Sequence, residues 1–319
     1  MNTISKPELS EIAREWQGHQ GLVVGRANDY DLIDCQACGF IHTAPIPAPE
    51  ELEALYRQHY YLDNQPDYLD RHLENLDWWN TFYRERYETF EELLPRDRRR
   101  LLDVGSGFGL FLQQGQRRGL DTLGIEPSKD GVCYSRGLGL EVIEDFLSAD
   151  TASRLGKFDV VHLSEVLEHI PDPTHLLGLA RQLLSPGGFV CVVVANDCNP
   201  FQSALQTACG YAPWWMVPPF HINYFTFDSL SNLIGRCGFE VVLREGTFPM
   251  ELFLLMGDRY VGNDLVGRQC HDKRKRFEHH LEQAGMGGLK RQLYRALATL
   301  GLGREAMIFG RADGGRDHG

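Results

Sequence analysis

The amino-acid sequence predicts an α/β protein built around a doubly wound, mostly parallel sheet of seven strands. Three observations lead to this fold class. Strands and helices alternate from residue 100 onward, which is typical of a parallel sheet with helices on both faces. A glycine-rich turn follows the first of these strands. Two late strands, at 240–243 and 306–309, enclose a mostly helical insertion that precedes the last strand.

We expect four regions along the chain. They are a small N-terminal module (1–70), a core (71–248), a helical insertion (249–303), and a last strand with a tail (304–319). The final residues, 313–319, are rich in glycine and charge, and we expect them to fray because nothing in their pattern ties them to the core.

The N-terminal module and its junction with the core contain four predicted segments. A strand-like stretch at 31–42 is interrupted by two cysteines, and a proline-rich loop at 43–49 follows it. A helix is predicted at 50–60, because a proline stands near its start and acidic residues occupy its first turn. Residues 71–95 form a second helical region that is rich in aromatic side chains.

The core elements are predicted from short apolar runs that alternate with amphipathic segments. The apolar runs are too short for helices and are therefore assigned as buried strands. The predicted strands are 101–104, 122–125, 141–143, 158–163 and 189–194, and the predicted helices are 110–118, 129–137, 174–184 and 228–237.

The composition excludes several classes of protein. Hydrophobic residues make up 43% of the 319 residues and charged residues 24%, which is ordinary for a globular protein and excludes disorder over most of the chain. The 32 basic and 44 acidic residues give a formal net charge of −12. Such an acidic chain lacks the electrostatic attraction that non-specific nucleic-acid binding needs, so we expect no nucleic-acid partner.

The sequence also predicts a cytoplasmic protein without a membrane span. Its longest apolar run, 189–195, has 7 residues, far below the ~20 needed to cross a bilayer. The N-terminus carries Glu8, Glu11 and Glu15 and no apolar stretch, so a secretion signal is not expected. Eight scattered cysteines do not form a disulfide framework and indicate a reducing compartment.

The strongest motif combines a strand, a glycine loop and an acidic residue. A short strand ends near Asp103 and continues into Gly105, Gly107 and Gly109, which allow the backbone to approach a ligand closely. Glu126 lies 17 residues after the last of these glycines, at the end of the next strand. An acidic side chain at that position can accept hydrogen bonds from both hydroxyls of a ribose.

The glycine spacing separates two nucleotide-binding functions. Dinucleotide enzymes use G-x-G-x-x-G, whereas residues 101–110 contain G-x-G-x-G after an acidic residue. This segment resembles motif I of the class I S-adenosylmethionine-dependent methyltransferases, and 158–171 and 183–190 resemble later segments of the same family. The resemblance covers about 75–245 and implies a Rossmann-like methyltransferase fold with S-adenosylmethionine as cofactor.

The resemblance also implies which residues would bind that cofactor. The glycine loop would line its methionine end, Glu126 would bind its ribose, and Asp145, beside Phe146, would accept from its adenine amino group. For Asp145 the alternative is an ordinary loop carboxylate. The cofactor-binding candidates are Asp103, Gly105, Ser106, Gly107, Gly109, Glu126, Asp145, Ser164 and Glu165, the last two acting mostly through their backbone.

Two histidines are candidates for the catalytic step. His169 lies in 165–171, where it can face the acceptor or order the loop. His221 lies in 218–226, and in similar methyltransferases a histidine on this segment reaches the acceptor pocket; it can also simply fix its loop. A neutral imidazole near pH 7 is suited to taking a proton from a hydroxyl or an acidic C–H.

A possible zinc site lies in the N-terminal module. Cys35 and Cys38 form a Cys-x-x-Cys pair, which is half of a zinc site. In similar sugar and natural-product methyltransferases a module of this kind carries two such pairs, and the first pair is absent here. His19 and His42 can complete a Cys₂His₂ set; the alternative is a metal-free module with free thiols.

The insertion is locally basic, and its charges have two interpretations. They can form a solvated helix face, or they can bind an anionic acceptor such as a nucleotide-linked sugar, whose diphosphate needs arginine or lysine. The expected pairing of the last strand would place the insertion over the carboxyl edge of the sheet. The basic residues are Arg268, His271, Lys273, Arg274, Lys275, Arg276, Lys290, Arg291 and Arg295.

These observations favour an S-adenosylmethionine-dependent methyltransferase that acts on a small-molecule or sugar-containing acceptor. One alternative is a non-catalytic, methyltransferase-like scaffold whose N-terminal module binds a partner. Another is a nicotinamide-dependent oxidoreductase, against which the glycine spacing argues. The sequence leaves open whether oxygen, nitrogen or carbon is methylated.

Overall fold

The structure is a computed structural model that describes residues 13–48, 51–52 and 67–312. Most of the helix predicted at 50–60 and the tail expected to fray at 313–319 lie outside these residues. The described chain contains two sheets, one of five strands and one of seven.

The five-stranded sheet is antiparallel and contains most of the described N-terminal module. Its strands are β1 (Ala13–Trp16), β2 (His19–Ala27), β3 (Tyr30–Cys35), β4 (Phe40–Ala44) and the short β10 (Asn223–Tyr224), in that order. Along β2, buried and exposed residues alternate, as expected for a strand with one face packed. The sequence analysis predicted only the stretch that became β3 and β4, and it missed β1 and β2.

The seven-stranded sheet confirms the predicted fold class. Its order is β11-β12-β9-β8-β5-β6-β7; β5 to β9 run parallel, whereas β12 pairs antiparallel with both β9 and β11. β5 lies between β6 and β8, so the chain switches direction there, and such a switch point opens a crevice at the carboxyl ends of the strands. The strands are β5 (Arg100–Val104), β6 (Asp121–Glu126), β7 (Val142–Glu144), β8 (Phe158–Ser164), β9 (Leu184–Ala195), β11 (Phe239–Gly246) and β12 (Glu305–Ala312).

The described helices cover the faces and the edge of this sheet. A clear local signal starts α6, where Asp172 caps the helix by accepting from the backbone N–H of His175 at 2.9 Å and Pro173 occupies the first position. The helices are α1 (Tyr68–Glu74), α2 (Leu76–Leu93), α3 (Leu110–Arg117), α4 (Lys129–Gly137), α5 (Ala149–Ser153), α6 (Pro173–Leu183), α7 (Pro200–Cys209), α8 (Phe227–Arg236), α9 (Glu251–Leu255), α10 (Asp264–Gln283) and α11 (Gly287–Thr299).

The two long helices of the insertion pack beside α2 and β11 through ion pairs. Lys290 is buried and lies 3.0 Å from Glu85 of α2, and Arg295 lies 2.8 Å from Glu245 of β11. Arg291 similarly binds acidic and hydroxyl groups of α2. These three side chains already bind groups of the protein, which gives less support to the interpretation in which they hold the diphosphate of an acceptor.

The insertion was expected to lie over the carboxyl edge of the sheet, and within it only the short helix α9 does so. It packs against α7, which follows the end of β9, and its Glu251 accepts from Asn199 and Gln202 at 3.2 and 3.1 Å. α11 lies against α2 and β11 instead, where its Lys290 and Arg295 bind acidic partners. α10 contacts α2 through its acidic Glu282, which binds Arg84 at 2.5 Å. In the part of the chain that the structure describes, no helix is both long and apolar enough to cross a membrane.

Candidate methyl-donor site

A cavity of about 470 Å³ opens at the carboxyl edge of the seven-stranded sheet, beside β5, β6 and β8. It lies at the switch point where the fold predicts a ligand. The cavity brings together most of the residues that the sequence singled out. Asp103, Gly105, Ser106, Gly107, Glu126, Asp145, Ser164, Glu165 and His169 line it, whereas Gly109 and His221 are not part of its wall.

Two glycines of the loop have different structural roles. Gly105 has a φ of +72°, and a Cβ there would come within 2.7 Å of the Val166 side chain at the cavity. Gly109 has a φ of +70°, and a Cβ there would come within 2.6 Å of Ser135 Oγ in α4. Gly105 thus keeps the cavity wall open, whereas Gly109 allows α3 to begin close to α4.

Glu126 is held at the end of β6 by two backbone donors. Its Oε2 accepts from the N–H of Gly107 at 2.7 Å and its Oε1 from the N–H of Ser128 at 2.9 Å. Each oxygen keeps further acceptor capacity, so the carboxylate can bind two hydroxyls of a ligand. Burial raises the pKa of Glu126 to about 7, although the two backbone hydrogen bonds favour its ionised form.

Beside β5 and β8, the cavity wall contains a three-residue network, of which the sequence analysis named only Asp103. His162 of β8 lies beside Asp103 in the adjacent strand β5, with its Nδ1 2.6 Å from Asp103 Oδ1. Its Nε2 lies 2.9 Å from a guanidinium nitrogen of Arg86, which reaches the site from α2. Burial lowers the pKa of His162, so the ring is neutral near pH 7. Arg86, His162 and Asp103 all line the cavity.

Two further carboxyl groups line the cavity, that of Asp145 after β7 and that of Glu165 after β8. Asp145 accepts from the Thr151 hydroxyl and from the backbone N–H of Phe146, both at 2.9 Å, so its carboxylate is fixed beside the Phe146 ring. Glu165 follows β8 with a φ of +56°, which is uncommon for a residue with a side chain. Glu165 is exposed to the solvent of the open cavity, and desolvation by the surrounding cavity wall, with the nearby Glu305, raises its pKa to about 7.

Past the end of β8, three side chains form a second polar cluster. Ligand atoms of Glu168, His169 and His221 all lie within 4.8 Å of one another, and residues of these types also bind divalent cations. His169 Nδ1 lies 2.6 Å from the carbonyl oxygen of Phe220, so this nitrogen carries the proton and the carbonyl accepts it. The rings of His169 and His221 meet edge to face with centroids 5.0 Å apart.

Burial sets the charge states of this cluster. It lowers the pKa of His169 to about 3 and that of His221 to about 4, so both rings are neutral near pH 7. Glu168 is fully buried, and neither of its carboxyl oxygens has a hydrogen-bond partner among the described residues. Burial, with Glu165 nearby, raises the pKa of Glu168 well above its ordinary value.

The five-stranded sheet holds the loops that carry this cluster. β10 pairs with β4, and Asn223 in β10 donates to the carbonyls of Leu167 and Ile170 at 2.8 and 2.7 Å. The backbone N–H of Ile222 donates to the carbonyl of Glu168 at 2.8 Å. The positions of His169 and His221 therefore depend on contacts with the N-terminal module.

The predicted metal ligands come together on that module. His19 Nδ1 lies 3.7 Å from Cys35 Sγ and 3.3 Å from Cys38 Sγ, and the His19 and His42 rings are 4.8 Å apart. His42 Nδ1 donates to the carbonyl of Thr43, which leaves the lone pair on Nε2, a buried atom without a hydrogen-bond partner among the described residues. Two sulfur and two nitrogen donors within 4.8 Å of one another fit a tetrahedral zinc ion.

With this geometry established, comparisons with known proteins identify the family. The sequence profile described as "Methyltransferase domain" matches residues 74–244, just over half of the chain. The chain belongs to this methyltransferase family. This membership confirms the predicted class I S-adenosylmethionine-dependent methyltransferase and its Rossmann-like fold.

Curated relatives share part of this methyltransferase. The chain is 32% identical over 164 residues to a ubiquinone biosynthesis O-methyltransferase of Cereibacter sphaeroides, covering 48% of this chain and 65% of that protein. It is 30% identical over 155 residues to the protein of the same name from Ruegeria pomeroyi, covering 46% and 62%. The match thus spans less than two thirds of the length of these relatives.

Solved structures of similar proteins include two archaeal methyltransferases. One is a SAM-dependent methyltransferase from Archaeoglobus fulgidus, with a TM-score of 0.47 and 16% identity, covering 73% of this chain and 94% of that chain. The other is the putative methyltransferase in complex with the Trm112 activator of Haloferax volcanii, with a TM-score of 0.48 and 15% identity, covering 84% and 100%.

Proposed function

We propose that this protein transfers a methyl group from S-adenosylmethionine to a small-molecule acceptor. The observation that carries the proposal is the cavity at the carboxyl edge, where the glycine loop and the fixed Glu126 carboxylate meet beside a histidine-containing wall. These residues fit the chemistry of the cofactor. When bound, S-adenosylmethionine supplies a sulfonium methyl group that a nucleophile can displace.

We assign the cofactor contacts by charge and hydrogen-bonding capacity. Asp103 accepts from an ammonium group and Arg86 donates to a carboxylate, so the pair suits the amino-acid end of the cofactor. Glu126 accepts from both ribose hydroxyls. Asp145 accepts from the adenine amino group, with Phe146 beside the ring. Arg86 is an addition to the residues that the sequence analysis named.

The acceptor lies, in this proposal, next to His169. This histidine is part of the cavity wall, and its ring is fixed by the Phe220 carbonyl, whereas His221 packs behind it. His169 takes the proton that the acceptor loses, and His221 keeps the His169 ring in place. Much of the rate comes from holding the acceptor in line with the transferred methyl group.

We propose a hydroxyl group as the methylated position. The support is the name of the curated relatives, which describes O-methylation, and a cavity wall that contains the aromatic side chains of Trp79, Tyr83, Phe108 and Phe111. A nucleotide-linked sugar is the second acceptor class. The insertion offers it less support than the sequence suggested, because Lys290, Arg291 and Arg295 are bound to carboxylates of the protein.

Calorimetry followed by an acceptor screen tests the function. S-adenosylmethionine and S-adenosylhomocysteine should release heat on binding, and a nicotinamide dinucleotide should not. Phenolic compounds and nucleotide-linked sugars would then be screened separately by the release of S-adenosylhomocysteine. Absence of heat with either sulfur ligand would favour the scaffold alternative, and absorbance of a bound nicotinamide would favour the oxidoreductase.

We also propose that His19, Cys35, Cys38 and His42 hold a structural zinc ion. The donor types and their mutual distances support this assignment. The ion would tie β2 to β4 and to the turn that joins β3 and β4. Since β4 pairs with β10, the metal would also stabilise the segment that carries His221.

A further inference from the structure

Three buried side chains form a continuous hydrogen-bonded line at the methionine end of the cavity. Arg86, His162 and Asp103 come from α2, β8 and β5, so their sequence positions are far apart. His162 is only 1% exposed, and its ring stacks on Phe111 with centroids 4.2 Å apart. The imidazole therefore has a fixed place between a cation and an anion.

The partners of His162 determine its tautomer. A guanidinium group can only donate hydrogen bonds, so Nε2 of His162 must accept from Arg86. A neutral imidazole carries one proton, which must then be on Nδ1 and is donated to Asp103 Oδ1. The ring thus binds both charged groups at once, and only the neutral form can do so.

The bridge also keeps two opposite charges apart. Without a spacer, a guanidinium and a carboxylate that face one cavity attract each other, and a direct ion pair would use the groups that a ligand needs. With the imidazole between them, Arg86 and Asp103 both remain part of the cavity wall. A wall that presents one fixed positive group and one fixed negative group matches a ligand with an ammonium and a carboxylate group.

We propose that His162 is a positioning residue that separates Arg86 from Asp103 and thereby selects ligands with a zwitterionic amino-acid end. The proposal rests on the function proposed above and deepens it, because it states which part of the cofactor this wall recognises. His162 touches no reacting atom in this proposal. Its role is to control the affinity of the protein for the amino-acid end of the ligand.

The test compares two ligands that differ only in that portion. S-adenosylhomocysteine carries the amino-acid end, whereas 5′-methylthioadenosine has the same nucleoside and a thioether but lacks it. Calorimetry would measure both affinities for the unchanged protein and for three variants. His162→Phe keeps the ring and its stacking on Phe111, His162→Asn keeps a donor near Asp103, and His162→Gln keeps an acceptor near Arg86.

His162→Phe should weaken the binding of S-adenosylhomocysteine by about tenfold to a hundredfold, which is the effect of losing one or two charge-assisted contacts. The affinity for 5′-methylthioadenosine should be unchanged. The Asn and Gln variants should each recover part of the lost affinity. Thermal melting would establish that each variant is folded. If His162→Phe does not fold, the Asn and Gln variants still give the comparison between the two ligands.

Three results would overturn the proposal. The first is that His162→Phe loses affinity equally for both ligands, and the second is that it loses no affinity for S-adenosylhomocysteine. The third is that the Asn and Gln variants discriminate between the two ligands no better than the Phe variant. The first would make His162 a purely structural residue. If the unchanged protein binds neither ligand, the proposed function itself fails and this inference fails with it; if it binds both equally, only this inference fails.

Discussion

The cavity wall proposed to bind the cofactor and the neighbouring cluster of Glu168, His169 and His221, which we call the histidine end, differ in how their buried carboxyl groups are paired. In that cavity wall, Asp103, His162 and Glu126 bind other protein groups at 2.6 to 2.9 Å. At the histidine end, both carboxyl oxygens of Glu168 and the Nδ1 of His221 are buried without a hydrogen-bond partner in the described part of the chain. The carboxylates of Asp103 and Glu126 are thus bound by protein groups, whereas the carboxyl group of Glu168 is not; among the other polar atoms of the cavity wall, Arg86 Nε and Ser106 Oγ are also buried without a partner in the described residues.

The difference indicates where ligand binding changes the protein most. A buried polar group without a partner costs about 1–3 kcal/mol, so it persists where a ligand or an ion can complete it. In the proposed methionine end, which Arg86, His162 and Asp103 form, and at Glu126, the protein has already oriented its carboxylates, so a bound cofactor would only add to existing hydrogen bonds. We therefore expect substitutions at the methionine end to change affinity and substitutions at the histidine end to change turnover.

The largest expected effect separates the two ends most clearly. Replacing His169 by alanine should lower turnover by roughly 10²–10⁴, because the cavity wall loses the group proposed to take the acceptor's proton. The affinity for S-adenosylhomocysteine should remain near that of the unchanged protein. Steady-state kinetics and calorimetry on the same preparation would measure the two effects.

Two variants and one reagent sharpen this result. His279, an exposed residue of α10, gives a matched control, since His279→Ala should change neither quantity. His221→Ala should cause a smaller loss than His169→Ala; the opposite ranking would move the catalytic role to His221. If a chelator abolishes turnover and magnesium restores it, His169 acts as a metal ligand and the proton-acceptor role is wrong.

The next prediction concerns the N-terminal module, which supports the histidine end. Purified protein should contain about one equivalent of zinc, and Cys35→Ser should remove it and destabilise the five-stranded sheet. Turnover should fall more than cofactor affinity, because β10 links this sheet to the histidine cluster and not to the methionine end. Elemental analysis and thermal melting would measure the loss.

Cys133 provides the comparison for the zinc experiment. It is a free, exposed cysteine far from the cluster in sequence, so Cys133→Ser should retain both the metal and the stability. Protein purified without chelator that contains no zinc would contradict the assignment and would leave the module as a metal-free sheet.

A smaller effect is expected at the ribose end. Glu126→Ala should weaken the binding of S-adenosylmethionine at least about tenfold, since each charge-assisted hydrogen bond contributes about 1.5–3 kcal/mol to the binding free energy. Turnover at saturating cofactor should change little. Glu144, its exposed neighbour in β7, serves as control, and Glu144→Ala should bind normally. Normal affinity in a folded Glu126→Ala protein would move the ribose site elsewhere.

The smallest effect is a pH dependence of cofactor affinity. Burial raises the pKa of Glu126 to about 7, so the carboxylate that accepts ribose hydroxyls is mostly protonated at pH 6 and mostly ionised at pH 8. Affinity should therefore rise by about tenfold over this range and fall as the pH is lowered through 7. Calorimetry at several pH values would measure it. If the affinity of Glu126→Gln changes equally steeply with pH, the pH dependence belongs to another group, such as Glu165.

Local patterns were sufficient for the glycine loop and Glu126, because strand, turn and acidic residue lie within one short stretch of sequence. They were insufficient for Arg86 and His162, which lie 76 positions apart; Asp103 stands between them in the sequence, 59 positions before His162. His162 is a polar residue in an otherwise apolar strand, and that signal could have drawn attention to it. The strand β1 was missed because its residues are mostly polar and exposed. The strand β2 was missed because glycines occupy part of its buried face while Leu22 and Val24 are exposed, which hides the alternation.

The parallel sheet and the edge at which the cavity forms follow from sequence patterns alone, since the carboxyl ends of neighbouring parallel strands meet at one edge. The same patterns named the glycine loop and several acidic residues of the cavity wall, among them Asp103, Glu126 and Asp145. The packing of the folded chain settles two further points: His169 lines the cavity and His221 does not, and Lys290, Arg291 and Arg295 bind carboxylates of α2 and β11. These outcomes depend on distances between elements remote in sequence, which packing sets and no local pattern encodes.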